Sequence, residues 1–311
     1  MVSAPSRKQI VSQLRKYTPR TMDRAVAYNR RTDDNSVNAV SWISYSSVGA
    51  ARQLDALADA LEAKGGWADA LGGAVAYEMF ADQLSFFWHR QFRQEFANSP
   101  QPLRLMDWEP MTTTMALGFV LGWREQATYQ GYLVAAVLNR DYHLAVGYDE
   151  RHRRANAFML RLFANWRSDG TGHAFPLWAS SVPVYEQLIE RWRTADPGEV
   201  QQMLLEACDH HLAEGGPDKK NKYFDFGDDR LARVPLEIIM VLRLREFEGL
   251  ANPKLDHALM EAPFDTLPRG VAVPAADEYM RGTLARAKTD WPQFESATAL
   301  ETVKAAARAA G

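Results

Sequence analysis

Apolar residues recur at steps of three and four along nearly the whole chain, and no useful stretch alternates as a half-buried strand would. Val48, Ala51, Leu54, Leu57, Ala58 and Leu61 hold the helical spacing until Gly65-Gly66 interrupts it. Ala74, Tyr77, Phe80, Ala81, Leu84, Phe87 and Trp88 resume it, and the run Asn98-Ser99-Pro100-Gln101-Pro102 breaks it again. Further helices are expected over Thr112–Trp123 and Tyr129–Leu138, and along the stripe Ala155, Phe158, Met159, Leu162, Phe163 and Trp166. No Asn-Gly turn joins two strand-like runs. The chain is therefore expected to be all-α, a single bundle-like domain of about ten or more helices joined by short loops.

Local signals sharpen some boundaries. Asp196, Pro197 and Glu199 form a cap, a first-turn proline and an early acid, which together start a helix. Leu231 to Phe247 is the most apolar segment, bounded by Asp228 or Asp229 and by Gly249. It reads as a central helix with Leu231, Val234, Ile238, Val241 and Leu242 inward and Arg243 and Glu246 toward solvent or ion partners. Two more amphipathic helices are expected near 274–287 and 296–309. Residues 1–35 are polar and basic on balance, and are expected to dock loosely as two short helices ahead of a helical domain over 36–311.

Composition excludes several classes. The 311 residues are 47% hydrophobic and 24% charged, enough to bury a core without metal or disulfide. The net charge of −3, from 36 basic and 39 acidic residues, argues against a general nucleic-acid binder. The single cysteine, Cys208, lies in an apolar run and reads as a small buried hydrophobe. It fits a reducing compartment, and the cytoplasm is the expected location. The longest apolar stretch, Met111 to Trp123, falls short of the roughly 20 residues of a membrane span.

No established catalytic or phosphate-binding motif is present. Glu78, Asp82 and His89 share one helical face, so a helical enzyme with an internal carboxylate-histidine cluster is one reading. Lining a core cavity or pairing with arginines is the other. Asp209-His210-His211 falls at a helix end, where histidines favour the negative end of the dipole. Trp108 and Trp178 flank helix starts and are candidates to line a groove. No metal or cofactor is expected.

The strongest functional signal is a local charge imbalance. Between 196 and 229 nine acids face only Lys219, Lys220 and Lys222, and nine minus three leaves six surplus negative charges. Tyr223, Phe224 and Phe226 interleave with the acids. Aromatics among charges resemble interface hot spots, and an acidic field steers a basic protein. Asp218, Tyr223, Asp225, Phe226, Asp228 and Asp229 are the candidate partner-binding residues. A solvated acidic face, with the aromatics buried as loop anchors, is the alternative.

An aromatic-acidic loop, an apolar helix containing Pro235-Leu236-Glu237 and an acidic, proline-punctuated tail run from Tyr223 to Pro268. This part of the chain resembles bacterial immunity proteins of polymorphic toxin systems, the helical group that neutralises secreted DNase effectors. Arg233-Val234-Pro235 stands where that group has a Tyr-Trp pair before the glutamate. The resemblance implies a non-catalytic inhibitor that binds a cognate toxin directly.

Overall fold

The computed structural model describes residues 6–16, 20–30, 41–95, 108–138, 153–171, 182–216, 218–219, 223–228 and 231–308. Among the described residues thirteen α-helices account for the architecture and no strand occurs, so the chain is all-α as its periodicity predicts. The break expected at 98–102, Trp178 and Asp229 lie outside the described residues.

α1 (Arg7–Leu14) opens on a capping box: the Ser6 side chain accepts from the Gln9 N–H, and the Gln9 side chain accepts from the Ser6 N–H. With α2 (Asp23–Arg30) it belongs to the stretch expected to dock loosely. Instead Ile10 and Leu14 are buried in the main core, and Ala25 and Tyr28 are buried under α2.

α3 (Ser41–Leu61) and α4 (Trp67–Glu95) pack along each other across a turn where Gly66 takes a left-handed conformation (φ 79°). α5 (Trp108–Val120) and α6 (Arg124–Leu138) form a second such pair around Gly122. Trp108 is 1% exposed, so it anchors the start of α5 and lines no open groove. α7 (Arg154–Arg167) crosses α5 and α6, with the ring of Phe163 lying where a Cβ on Gly131 would stand. α8 (Pro183–Arg191) leads into α9 (Pro197–Ala213), which starts as its cap predicts: the Asp196 carboxylate accepts the Gly198 N–H at 2.8 Å.

α10 (Leu236–Phe247) packs on α5, α7 and α9. It starts five residues later than the sequence suggests. Pro235 disfavours helical geometry at Val234, and residues 231–233 form a turn whose N–H groups at Leu231 and Ala232 donate to the Asp228 carbonyl. Leu231, Val234, Ile238, Val241 and Leu242 are buried as expected, but so is every other residue from Leu236 to Arg245. A helix enclosed all round must satisfy its own polar groups. Arg243 donates from Nε to the Phe119 carbonyl (3.1 Å) and from Nη2 to that of Val120 (2.8 Å), and pairs with Glu246. Arg245, 0% exposed, donates to the carbonyls of Trp192, Thr194 and Ala251.

The chain then runs without regular structure apart from a 3-10 turn at Ala258–Met260. Trp123 Nε1 donates to the Val271 carbonyl at 2.9 Å, and Arg7 reaches the carbonyls of Glu261 and Ala262. α11 (Glu278–Asp290), α12 (Phe294–Thr298) and α13 (Leu300–Arg308) finish the fold. Their apolar residues complete two cores: Val303 and Ala307 join the main one, while Ala287 and Phe294 meet Tyr45, Tyr77, Phe80 and Phe87 in the second.

Replacing Arg245 by Met keeps much of the side chain's bulk but strips the buried Trp192 carbonyl and the part-buried carbonyls of Thr194 and Ala251 of their donor. A loss of about 3 kcal/mol is expected, read as a lower urea midpoint against the parent. An unchanged midpoint would show that water replaces the guanidinium without cost.

Candidate functional site

The acidic region divides into a buried half and an exposed half. Gly215 and Gly216 are buried where the chain leaves α9 and enters the loop. Phe226 is 1% exposed and stacks on the His211 ring with centroids 3.6 Å apart. His211 is itself fully buried, with Nδ1 2.9 Å from Glu237 Oε1 on α10. The histidine pair at the end of α9 thus does more than meet the helix dipole. His211 ties α9 to α10, and His210 Nε2 lies 3.2 Å from Asp225.

Asp225 and Phe226 correct the expectation of an exposed docking loop. Asp225 is 1% exposed because it caps a helix that has no cap of its own. Arg153, at the N-cap of α7, makes no side-chain capping bond. The Asp225 carboxylate accepts the Arg154 N–H at 2.7 Å and pairs with the Arg154 guanidinium at 2.9 Å. Glu109, from the first turn of α5, accepts the Arg153 N–H at 2.7 Å. Two orphan donors of α7 are thereby satisfied by carboxylates remote in sequence, each favoured by the positive end of the helix dipole. Burial would push the Asp225 carboxyl up; the hydrogen bond with His210 and the charge of Arg154 outweigh it and hold the group below the usual range.

The rest of the loop hangs from Arg153. Its guanidinium donates to the Phe224 carbonyl at 2.6 Å, pairs with Asp218 at 3.0 Å, and lies over the Tyr223 ring at 4.4 Å. Asp218 is exposed and Tyr223 and Asp228 are half-buried. A Cβ at Gly227 would stand 2.3 Å from the Asp218 carboxylate, so any larger residue here would displace that side chain.

The exposed half lies on α9. Val200, Met203, Leu204, Ala207, Cys208 and His211 face inward, and burial pushes the Cys208 thiol far above its usual pKa. Glu199, Gln202, Glu206 and Asp209 are exposed at helical spacing on the outer face. No Lys or Arg occurs between Pro197 and Ala213. The side chain of Asp209 is 80% exposed, and the neighbouring segment adds exposed Asp256 beside His257, whose Nε2 lies 3.3 Å from Asp209. Opposing cations are few: Arg191 pairs with Glu199 at 2.6 Å, and Lys254 is exposed nearby. The acid count over 196–229 included these residues but placed the surface in the loop. The 199-202-206-209 spacing against the inward set was the signal that places it on the helix.

The alternative cluster lies on α4, but each of its three side chains meets a different neighbouring helix. Glu78 accepts from Thr114 of α5 at 2.9 Å, Asp82 accepts from Gln130 of α6, and His89 faces Trp42 of α3. Among the described residues no group of three or more His, Cys, Asp or Glu is placed to hold a metal ion, and no helix is long and apolar enough to cross a membrane. Comparison with family models, curated proteins and solved structures returns no match to this chain.

Asp225→Asn is expected to cost about 2–3 kcal/mol at neutral pH, as a charged acceptor leaves a nearly buried network. Because the folded pKa is depressed, the carboxylate's contribution is full above the ordinary Asp value of about 3.9 and fades as pH falls through the lower folded value. Parent and variant stabilities, followed by urea unfolding from pH 7 to pH 3, should therefore converge toward acid. A gap that widens toward acid would contradict the assigned role.

Proposed function

We propose that this is a non-catalytic binding protein that neutralises a basic protein partner, in the manner of the immunity proteins that its Tyr223 to Pro268 segment resembles. The observation that carries the reading is the outer face of α9, where Glu199, Glu206 and Asp209 stand exposed on a helix free of Lys and Arg. α9 is held by its apolar face, by the His211–Glu237 contact and by its own cap. Its acids are therefore presented in fixed positions, which lowers the ordering cost of binding.

A nuclease surface must be basic to hold phosphates. A fixed acidic stripe offers such a surface negative charges at separate points, and speeds encounter by long-range attraction. Blockade of the phosphate-binding groove needs no chemistry from the inhibitor.

The test is reversal of Glu206 and Asp209 to lysine together. Both are exposed, so circular dichroism should be unchanged. With the partner recovered from host lysate, surface plasmon resonance at two salt concentrations should show association slowed about tenfold at low salt and a flattened salt dependence. Equal on-rates for parent and variant would remove α9 as the docking face.

A further inference from the structure

The whole-chain charge of −3 hides a second uneven stretch, opposite in sign to the one around α9. Over the described residues 6–16 and 20–30, seven arginines and lysines stand against one acid, Asp23. We infer that α1 and α2 present a basic face for the phosphate backbone of a double-stranded nucleic acid, bound without regard to sequence. The α9 face takes no part in it.

Two of the seven cations are committed within the protein. Arg7 donates to the carbonyls of Glu261 and Ala262, and Arg15 pairs with Asp55, Asp59 and Glu62 of α3. The other five, Lys8, Lys16, Arg20, Arg24 and Arg30, are all exposed. Among the described residues none of the five has an ion-pair or hydrogen-bond partner. Arg161, Arg191 and Arg286 elsewhere on the surface each hold a carboxylate. The acids that α3 offers to α1 are taken by Arg15, and two of them also by Lys64. The five unpaired cations therefore keep their charge for an outside anion.

Their layout suits a long anion. α1 and α2 both pack on α3. Arg15 of α1 reaches Asp59 toward the end of α3, whereas the Ala25 N–H of α2 donates to Ser44 Oγ near its start, at 3.3 Å. Ser44 and Asp59 are about four turns, or roughly 22 Å, apart along the helix. Lys8 and Lys16 thus stand at one station and Arg20, Arg24 and Arg30 at another. A lone phosphate or carboxylate meets one station. A duplex, at about 3.4 Å per base pair, spans both with about six pairs and releases counterions at each contact.

The same two helices offer little to other partners. Ile10, Leu14, Ala25 and Tyr28 are buried, so the apolar faces that could enter a membrane or anchor a protein are already occupied. Tyr28, the aromatic residue of these described stretches, leaves no ring on which an unpaired base could stack. Contact is confined to phosphates, which position a duplex but carry no sequence information.

The test uses the full chain and a fluorescein-labelled DNA duplex of about 20 base pairs, followed by anisotropy. Binding is expected at about 20 mM salt. With five phosphates contacted, log K should fall against log salt with a slope of about −4.5, so that binding is lost near physiological salt. Duplexes of two unrelated sequences should bind alike. Arg20→Gln and Arg24→Gln together, at exposed positions where circular dichroism should be unchanged, should weaken binding about tenfold or more and reduce the slope by about two. No binding at low salt, or a double variant that matches the parent in affinity and slope, overturns the inference. Tighter binding to phosphatidylserine vesicles than to the duplex, per anionic group, overturns it in favour of a membrane contact. Self-association in sedimentation that the double variant abolishes overturns it in favour of a second copy of the chain.

Discussion

Every helix end leaves carbonyl or amide groups that the helix cannot satisfy, and in a helical bundle some of those ends are buried. This protein meets the constraint with side chains that reach across the fold. Arg243 and Arg245, two residues apart on the enclosed helix α10, take the carbonyls that end α5 and those that follow α8. Arg193 does the same for the end of α7 through the carbonyls of Asn165 and Trp166. At the opposite pole, Glu109 and Asp225 take the first amides of α7. Guanidinium at carbonyl ends and carboxylate at amide ends is the arrangement the helix dipole favours. These long-range ties join helix ends across the bundle.

The helical class was legible because it needs only neighbours three and four residues apart. The Asp196–Pro197 start of α9, the stop after Leu61 and the inward set of α10 follow from spacing and from turn chemistry. The fate of charged residues was not legible, because it depends on partners far along the chain. Asp225 looks like a surface acid until Arg154, 71 residues earlier, is brought beside it. Arg243 looks like the wet side of an amphipathic helix, yet α10 has no wet side over its first ten residues. Phe226 could be read as hot spot or anchor, and only the His211 ring beneath it decides for anchor.

Counting charge over 196–229 located an acidic region but not the atoms that carry it to solvent. Folding spends Asp225 on structure and turns Glu199, Glu206 and Asp209 outward. What distinguishes them is position relative to the buried face of α9, a property of the helix and not of composition.

The single cysteine adds a practical consequence. Cys208 is fully buried on the inner face of α9, behind the acidic stripe, and only the thiolate reacts readily with alkylating reagents. The thiol can be modified only when α9 lifts from the bundle. With no second cysteine to confuse the signal, the rate of thiol labelling becomes a clock for the opening of this one helix, and a ligand that clamps α9 will slow it.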